Sequence, residues 1–155
     1  MVMRYRAFFI LLLLFGALAN PIQAASESRY AYIAIEKVAI DLQNERTTLQ
    51  VSYSLDTPIK VIFWLLGTSD LKNKLIKMIN YENVTVKEIG FDRAVFTIEG
   101  AVIDYQDGAF WFPEHTFNAV IPSLSISTPQ STLRYSYTNR LSRGVGYFKV
   151  PTVTQ

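Results

Sequence analysis

A strict alternation of apolar and polar residues over positions 47–55 is the strongest constraint on the fold of this chain. The apolar members of the stretch are Leu49, Val51, Tyr53 and Leu55. Side chains of a β-strand point alternately to its two faces, so a period of two predicts a strand with one buried side. Asp56-Thr57-Pro58 ends the pattern. The chain therefore needs a sheet and a second layer that covers the apolar face.

The rest of the chain is also mostly strand-like, with turn residues between apolar runs. The further predicted strands cover residues 30–42, 83–89, 93–105, 109–127 and 132–138, with one more over 145–153 or a frayed end there. Asp107-Gly108 is the clearest hairpin turn, because this pair tolerates the positive φ angles of tight turns. Pro113 and Pro122 must bend the long run over residues 109–127 or place it at the edge of a sheet.

One helix is predicted over residues 69–79. Its apolar residues recur at helical spacing and are Leu71, Leu75, Met78 and Ile79. Asp70 can pair with Lys74 one turn further on. The preceding apolar run, residues 59–66, fits either a buried strand or a helical turn, and periodicity cannot decide between them. Seven short strands and one helix predict a mainly β domain, as an antiparallel β-sandwich or a strongly curved sheet.

The first 24 residues have the pattern of a secretory signal peptide. Two arginines precede an apolar run of residues 7–19, and cleavage is expected after Ala24 or Ala25. Thirteen apolar residues are fewer than the roughly 20 that a spanning helix needs. We therefore expect a secreted, periplasmic or cell-surface protein whose mature part, residues 25–155, is a single β-rich domain.

Composition excludes several classes of function. The chain has no cysteine, which rules out disulfide scaffolds, thiol catalysis and thiolate metal sites and is mildly typical of a prokaryotic source. Without the two arginines of the signal, the 15 basic residues fall to 13 and equal the 13 acidic ones. A net charge of zero argues against a nucleic-acid partner.

The only histidine, His115, lies in the one segment that could hold a catalytic or metal site. Asp104, Asp107, Glu114 and His115 fall within twelve residues. A zinc or manganese site needs three or four converging ligands, and no known ligand spacing is present. A catalytic base also needs a nucleophile and an orienting partner. We therefore expect no metal, no cofactor and no catalysis at this segment. A carboxylate- or metal-dependent hydrolase over residues 104–115 is the last of three alternative functions that we consider.

Candidate contact residues lie in two segments. Trp111 stands between Phe110 and Phe112, so on a strand it faces away from them and could contact a glycan, a peptide or a protein. In the second segment, residues 61–79, an apolar run with Trp64 precedes a helix that carries Lys72, Lys74 and Lys77. The ordinary interpretation is a helix that covers one end of the sandwich.

The second segment also fits an element that lies in a membrane interface. The first-ranked function is a non-enzymatic binding or structural domain outside the cytoplasmic membrane, and the second is a peripheral membrane or envelope-associated protein. An exposed apolar ridge over residues 61–66 would favour the second. Asn83 begins an Asn-Val-Thr sequon, a possible glycosylation site.

Overall fold

The computed structural model describes residues 32–149. The predicted signal peptide, its cleavage at Ala24 and residues 150–153 of the last predicted strand lie outside this part of the chain. Two helices occur in it: α1, Thr57–Leu66, and α2, Ser69–Ile79. The strands are β1 Ile33–Gln43, β2 Arg46–Leu55, β3 Val84–Ile89, β4 Arg93–Ile98, β5 Ile103–Asp104, β6 Ala109–Phe112, β7 His115–Ser127, β8 Thr132–Leu141 and β9 Val145–Phe148. The prediction of a mainly β protein is confirmed.

Six strands form the larger sheet, in the order β3-β4-β2-β1-β7-β8. All neighbours in it are antiparallel except β1 and β7, which run parallel with Val38 opposite Leu124. The prediction of a purely antiparallel sheet is therefore wrong. Strands joined by a short hairpin must be antiparallel, whereas β1 and β7 are separated by both helices and five strands, which leaves either direction open.

Two of the predicted strands are each divided between the two sheets. The smaller sheet has the order β5-β6-β9. Residues 93–105 separate into β4 and β5 around Gly100, whose φ of +69° breaks the strand. Residues 109–127 separate into β6 and β7 at Pro113-Glu114, because proline has no N–H to donate to a sheet ladder. The prediction of one continuous strand over residues 93–105 is therefore wrong, and the run over residues 109–127 is interrupted at Pro113, one of the two prolines expected to bend it.

The alternating faces of the central strands form the core. Leu49, Val51 and Tyr53 of β2 are buried, as are Phe96 and Ile98 of β4, which confirms the predicted faces. Val102, placed in the same predicted core, is only partly buried and packs against it.

The helix α2 is confirmed with its predicted bounds, and its four periodic apolar residues are all buried. The prediction of a single helix is wrong, because residues 57–66 form α1. Pro58 lies in its first turn, where the missing N–H costs nothing, and Gly67 ends it with a φ of +85°. The apolar run that periodicity left open is thus helical.

Candidate functional site

The helix α1 turns most of its apolar residues toward solvent. The exposed fraction is 75% for Trp64, 66% for Leu65 and 83% for Leu66, and Val61 and Ile62 are exposed as well. Phe63 is the only buried residue of the helix. At about 100° per residue, Val61 and Leu65 lie about 160° from Phe63 and Trp64 lies about 100° from it, so all three point away from the buried side. We call these three residues the outward face of α1.

A tyrosine at the start of the described chain links α1 to α2. The ring of Tyr32 lies 5.8 Å from that of Phe63, centroid to centroid. Its hydroxyl donates a hydrogen bond to the carboxylate of Asp70 in α2. Lys74 Nζ lies 3.7 Å from the Tyr32 ring centroid and 3.2 Å from Asp70 Oδ2. This contact network holds α1 beside the Asp70 flank of α2.

The charges in this network stabilise each other. The hydrogen bond from Tyr32 lowers the pKa of Asp70, and the positive charges of Lys74 and Lys77 lower it further. Burial raises the pKa of Tyr32, as does the neighbouring Asp70 carboxylate. At neutral pH the aspartate is therefore ionised and the tyrosine keeps its proton. The Asp70 carboxylate accepts a hydrogen bond from Tyr32 and forms an ion pair with Lys74.

The three predicted contact lysines of α2 have different surroundings. Lys74 is half-buried in the network with Tyr32. Lys72 and Lys77 are exposed, and no carboxylate of residues 32–149 lies within ion-pair distance of either. The same holds for Lys60, the one charged residue of α1. Of the three predicted contact lysines, only Lys74 therefore has its charge paired within the described part of the chain.

His115 is a structural partner of α2. Its Nε2 lies 2.8 Å from the carbonyl oxygen of Ile79, which can only accept, so Nε2 donates. The ring stacks on Tyr81 with centroids 3.8 Å apart and meets the edge of Phe117. Burial lowers the pKa of His115, which the hydrogen bond to Ile79 partly offsets. The imidazole is therefore neutral at pH 7.

Two asparagines complete this contact between α2 and β7. Asn118 donates to the carbonyl of Lys77, and Asn80 donates to the carbonyl of Thr116. Carbonyls at a helix C-terminus lack partners within the helix, and Asn118 and His115 supply partners for those of Lys77 and Ile79. The bond from Asn80 runs the other way, from the end of α2 to a strand carbonyl. Sequence reasoning missed this role, because the bonds join residues about 40 positions apart.

The proposed acidic cluster around His115 does not assemble. His115 and Glu114 line an open groove of about 350 Å³ together with Tyr81, but Asp104 and Asp107 do not. Asp104 accepts a hydrogen bond from the backbone of Gln106, and Glu114 pairs with Arg140. Residues 32–149 contain no group of three or more potential ligands that could hold a metal. The expectation that the protein binds no metal stays a prediction.

Trp111 faces away from its neighbours, as the alternation predicted. Phe110 and Phe112 are buried, while Trp111 is 38% exposed. Its ring lies across Gly144 and Gly146, where a Cβ on Gly144 would come within 2.3 Å of it. Further exposed apolar residues of the small sheet and its turn are Ile103, Tyr105 and Phe148. The sequon residue Asn83 is exposed just before β3.

Comparison with other proteins gives no functional guide. The chain matches no protein-family model, and neither curated proteins nor solved structures include a significant relative. Across residues 32–149, none of the helices combines the length and apolar character required to cross a bilayer.

Proposed function

We propose that this protein is an exported, non-enzymatic domain that attaches peripherally to a lipid membrane through the outward face of α1. The observation that carries the proposal is the exposure of Val61, Trp64 and Leu65 on a helix that has a single charged residue. A helix that is apolar on all sides is normally buried. The exposed apolar residues of this helix would be buried if it contacted an apolar environment outside the domain.

The energy available from the outward face is sufficient for reversible attachment. Complete burial of a large apolar side chain contributes about 1.5–3 kcal/mol. Val61, Trp64 and Leu65 are each more than half exposed. Removing their exposed parts from water would therefore contribute roughly 3–6 kcal/mol. Part of this is offset by the lost freedom of the bound protein.

The dimensions of α1 favour a position within the interface. Ten residues of helix extend about 15 Å, half of the roughly 30 Å thickness of the hydrocarbon core. Tryptophan is enriched at the boundary between headgroups and acyl chains, which suits Trp64. A sandwich-like arrangement of the two sheets, together with the Tyr32 network, would give α1 a rigid support. The predicted signal peptide supports a location where such a surface is accessible.

Tryptophan fluorescence provides a direct test with phospholipid vesicles. In a Trp111→Phe background, the remaining Trp64 should shift its emission to shorter wavelengths when vesicles are added, because it leaves water. Co-sedimentation with the vesicles should accompany this shift. Leu65→Glu should abolish both signals, since a charge on the outward face opposes insertion.

Phe148→Glu is the matched control for this experiment. Phe148 is 64% exposed, almost the same as Leu65, but lies on the small sheet. This variant should bind vesicles like the parent protein. No vesicle binding by the parent, or equal loss in both glutamate variants, would contradict attachment through α1.

A second candidate function is carbohydrate binding by Trp111. It is favoured by the position of the indole ring, which lies across two glycines and remains partly exposed. A flat aromatic surface of this kind suits the apolar face of a sugar ring. In a Trp64→Phe background, soluble polysaccharide should alter Trp111 emission, and an unchanged spectrum would count against this candidate.

A further inference from the structure

We propose that the membrane bound by α1 is anionic, and that Lys60 and Lys77 provide this selectivity while Lys72 does not. The inference rests on the proposed function, since it names the lipid that the same surface binds. It also ranks lysines that are indistinguishable in the sequence. The ranking follows from where each one lies relative to α1.

Lys77 lies on the flank of α2 that Tyr32 joins to α1. The helix α1 reaches α2 through Tyr32, which contacts both Asp70 and Lys74. Lys77 follows Lys74 by three residues and therefore occupies the same flank one turn later. Its charge acts on the Asp70 carboxylate, which agrees with this position.

Lys72 lies elsewhere on α2. Lys72 follows Asp70 by two residues, which at about 100° per residue separates the two side chains by about 160° around the helix axis. It is exposed like Lys77 and lies on the same helix. Lys72 is thus a control of the same residue type on the same helix, which differs from Lys77 in direction and lies nearer the start of α2.

Lys74 is on the correct flank, but its charge is already compensated. Its ammonium group contacts both the Asp70 carboxylate and the face of the Tyr32 ring. Transfer to a lipid headgroup would break these contacts. It therefore contributes to holding the two helices together and adds little attraction for lipid.

Lys60 brings the remaining positive charge next to the outward face. It directly precedes Val61 and is exposed. Its long stem allows the ammonium group to reach headgroups while neighbouring apolar residues insert. Asp56, at the start of α1, is the acidic residue nearest to Lys60 in sequence, and it forms no ion pair with Lys60. The charge of Asp70 is compensated by Lys74. Lys60 and Lys77 thus present a positive border that complements anionic headgroups.

Binding to two kinds of vesicle tests this assignment. The probes are vesicles of phosphatidylcholine alone and vesicles in which phosphatidylglycerol replaces about a third of it. A lysine near an anionic surface contributes about fivefold in affinity. Lys60→Gln and Lys77→Gln should each weaken binding to the anionic vesicles by about that factor and leave binding to neutral vesicles unchanged. Lys72→Gln should match the parent on both, and added salt should reduce the difference between the vesicles.

The outcomes separate this inference from the proposed function. Equal parent affinity for both vesicles would refute anionic selectivity and leave attachment through α1 intact. Equal weakening by Lys72→Gln and Lys77→Gln would refute the assignment to one flank. Absence of binding to either vesicle would refute both proposals. Because all three substitutions are at exposed positions, unchanged thermal unfolding confirms that folding is not the cause.

Discussion

Replacing His115 should destabilise the protein by an amount that its contacts define. His115→Ala removes the hydrogen bond to Ile79 and the stacking on Tyr81. A buried carbonyl left without a partner costs about 1–3 kcal/mol, and an aromatic pair contributes about 0.5–1.5 kcal/mol. The free energy of unfolding should therefore fall by roughly 2–4 kcal/mol. Urea unfolding followed by circular dichroism measures this change.

A phenylalanine at the same position separates the two contributions. His115→Phe can keep the stacking on Tyr81 but cannot donate to the Ile79 carbonyl. It should lose about 1–3 kcal/mol, the share of the hydrogen bond alone. If His115→Phe unfolds at the same urea concentration as the parent protein, His115 does not cap α2 and the reasoning fails.

The same residue should make stability depend on pH. Burial lowers the pKa of His115 in the folded protein, so the unfolded chain takes up a proton first as the pH falls. The stability is complete above the unfolded value of about 6.5 and is lost as the pH falls from there toward the lower folded pKa. Carboxylates titrate near pH 4 in unfolded chains. Since this is the only histidine, a loss of stability between about pH 6.5 and 5 should disappear in His115→Phe.

Three further predictions concern the core, the small sheet and the N-terminus. Val51→Ala should destabilise the fold by about 1–4 kcal/mol, since Val51 is fully buried, and an unchanged denaturation midpoint would contradict its place in the core. Gly144→Ala should cost about 1–3 kcal/mol through contact with the indole ring. Gly146→Ala, whose Cβ would lie 3.4 Å from that ring, should be nearly neutral by the same assay. Intact mass of the exported protein should place its first residue at Ala25 or Ser26, and retention of residues 1–24 would refute cleavage.

Local patterns predicted those parts of the fold that depend on one element at a time. The alternation in β2 identified its buried face, and the spacing of leucines in α2 identified both its bounds and its core side. The parallel pairing of β1 with β7 was not accessible in this way, because it depends on how distant strands meet. The bond from His115 to Ile79 was missed for the same reason. A local sequence pattern contains no information on which distant strands or side chains pair with each other.

The helix α1 shows where sequence reasoning could have gone further and where it must end. Pro58 in the first turn and Gly67 directly after the run are the usual punctuation of a helix, and together they favour helix over strand for residues 59–66. Exposure is a different matter, because an unbroken apolar run predicts burial in either conformation. Only the folded structure shows that Phe63 is buried in the core and Ile59 packs partly against it, while the other apolar residues of α1 are exposed. The conflict between composition and exposure in α1 is therefore visible only in the folded chain, and such conflicts are expected at functional surfaces.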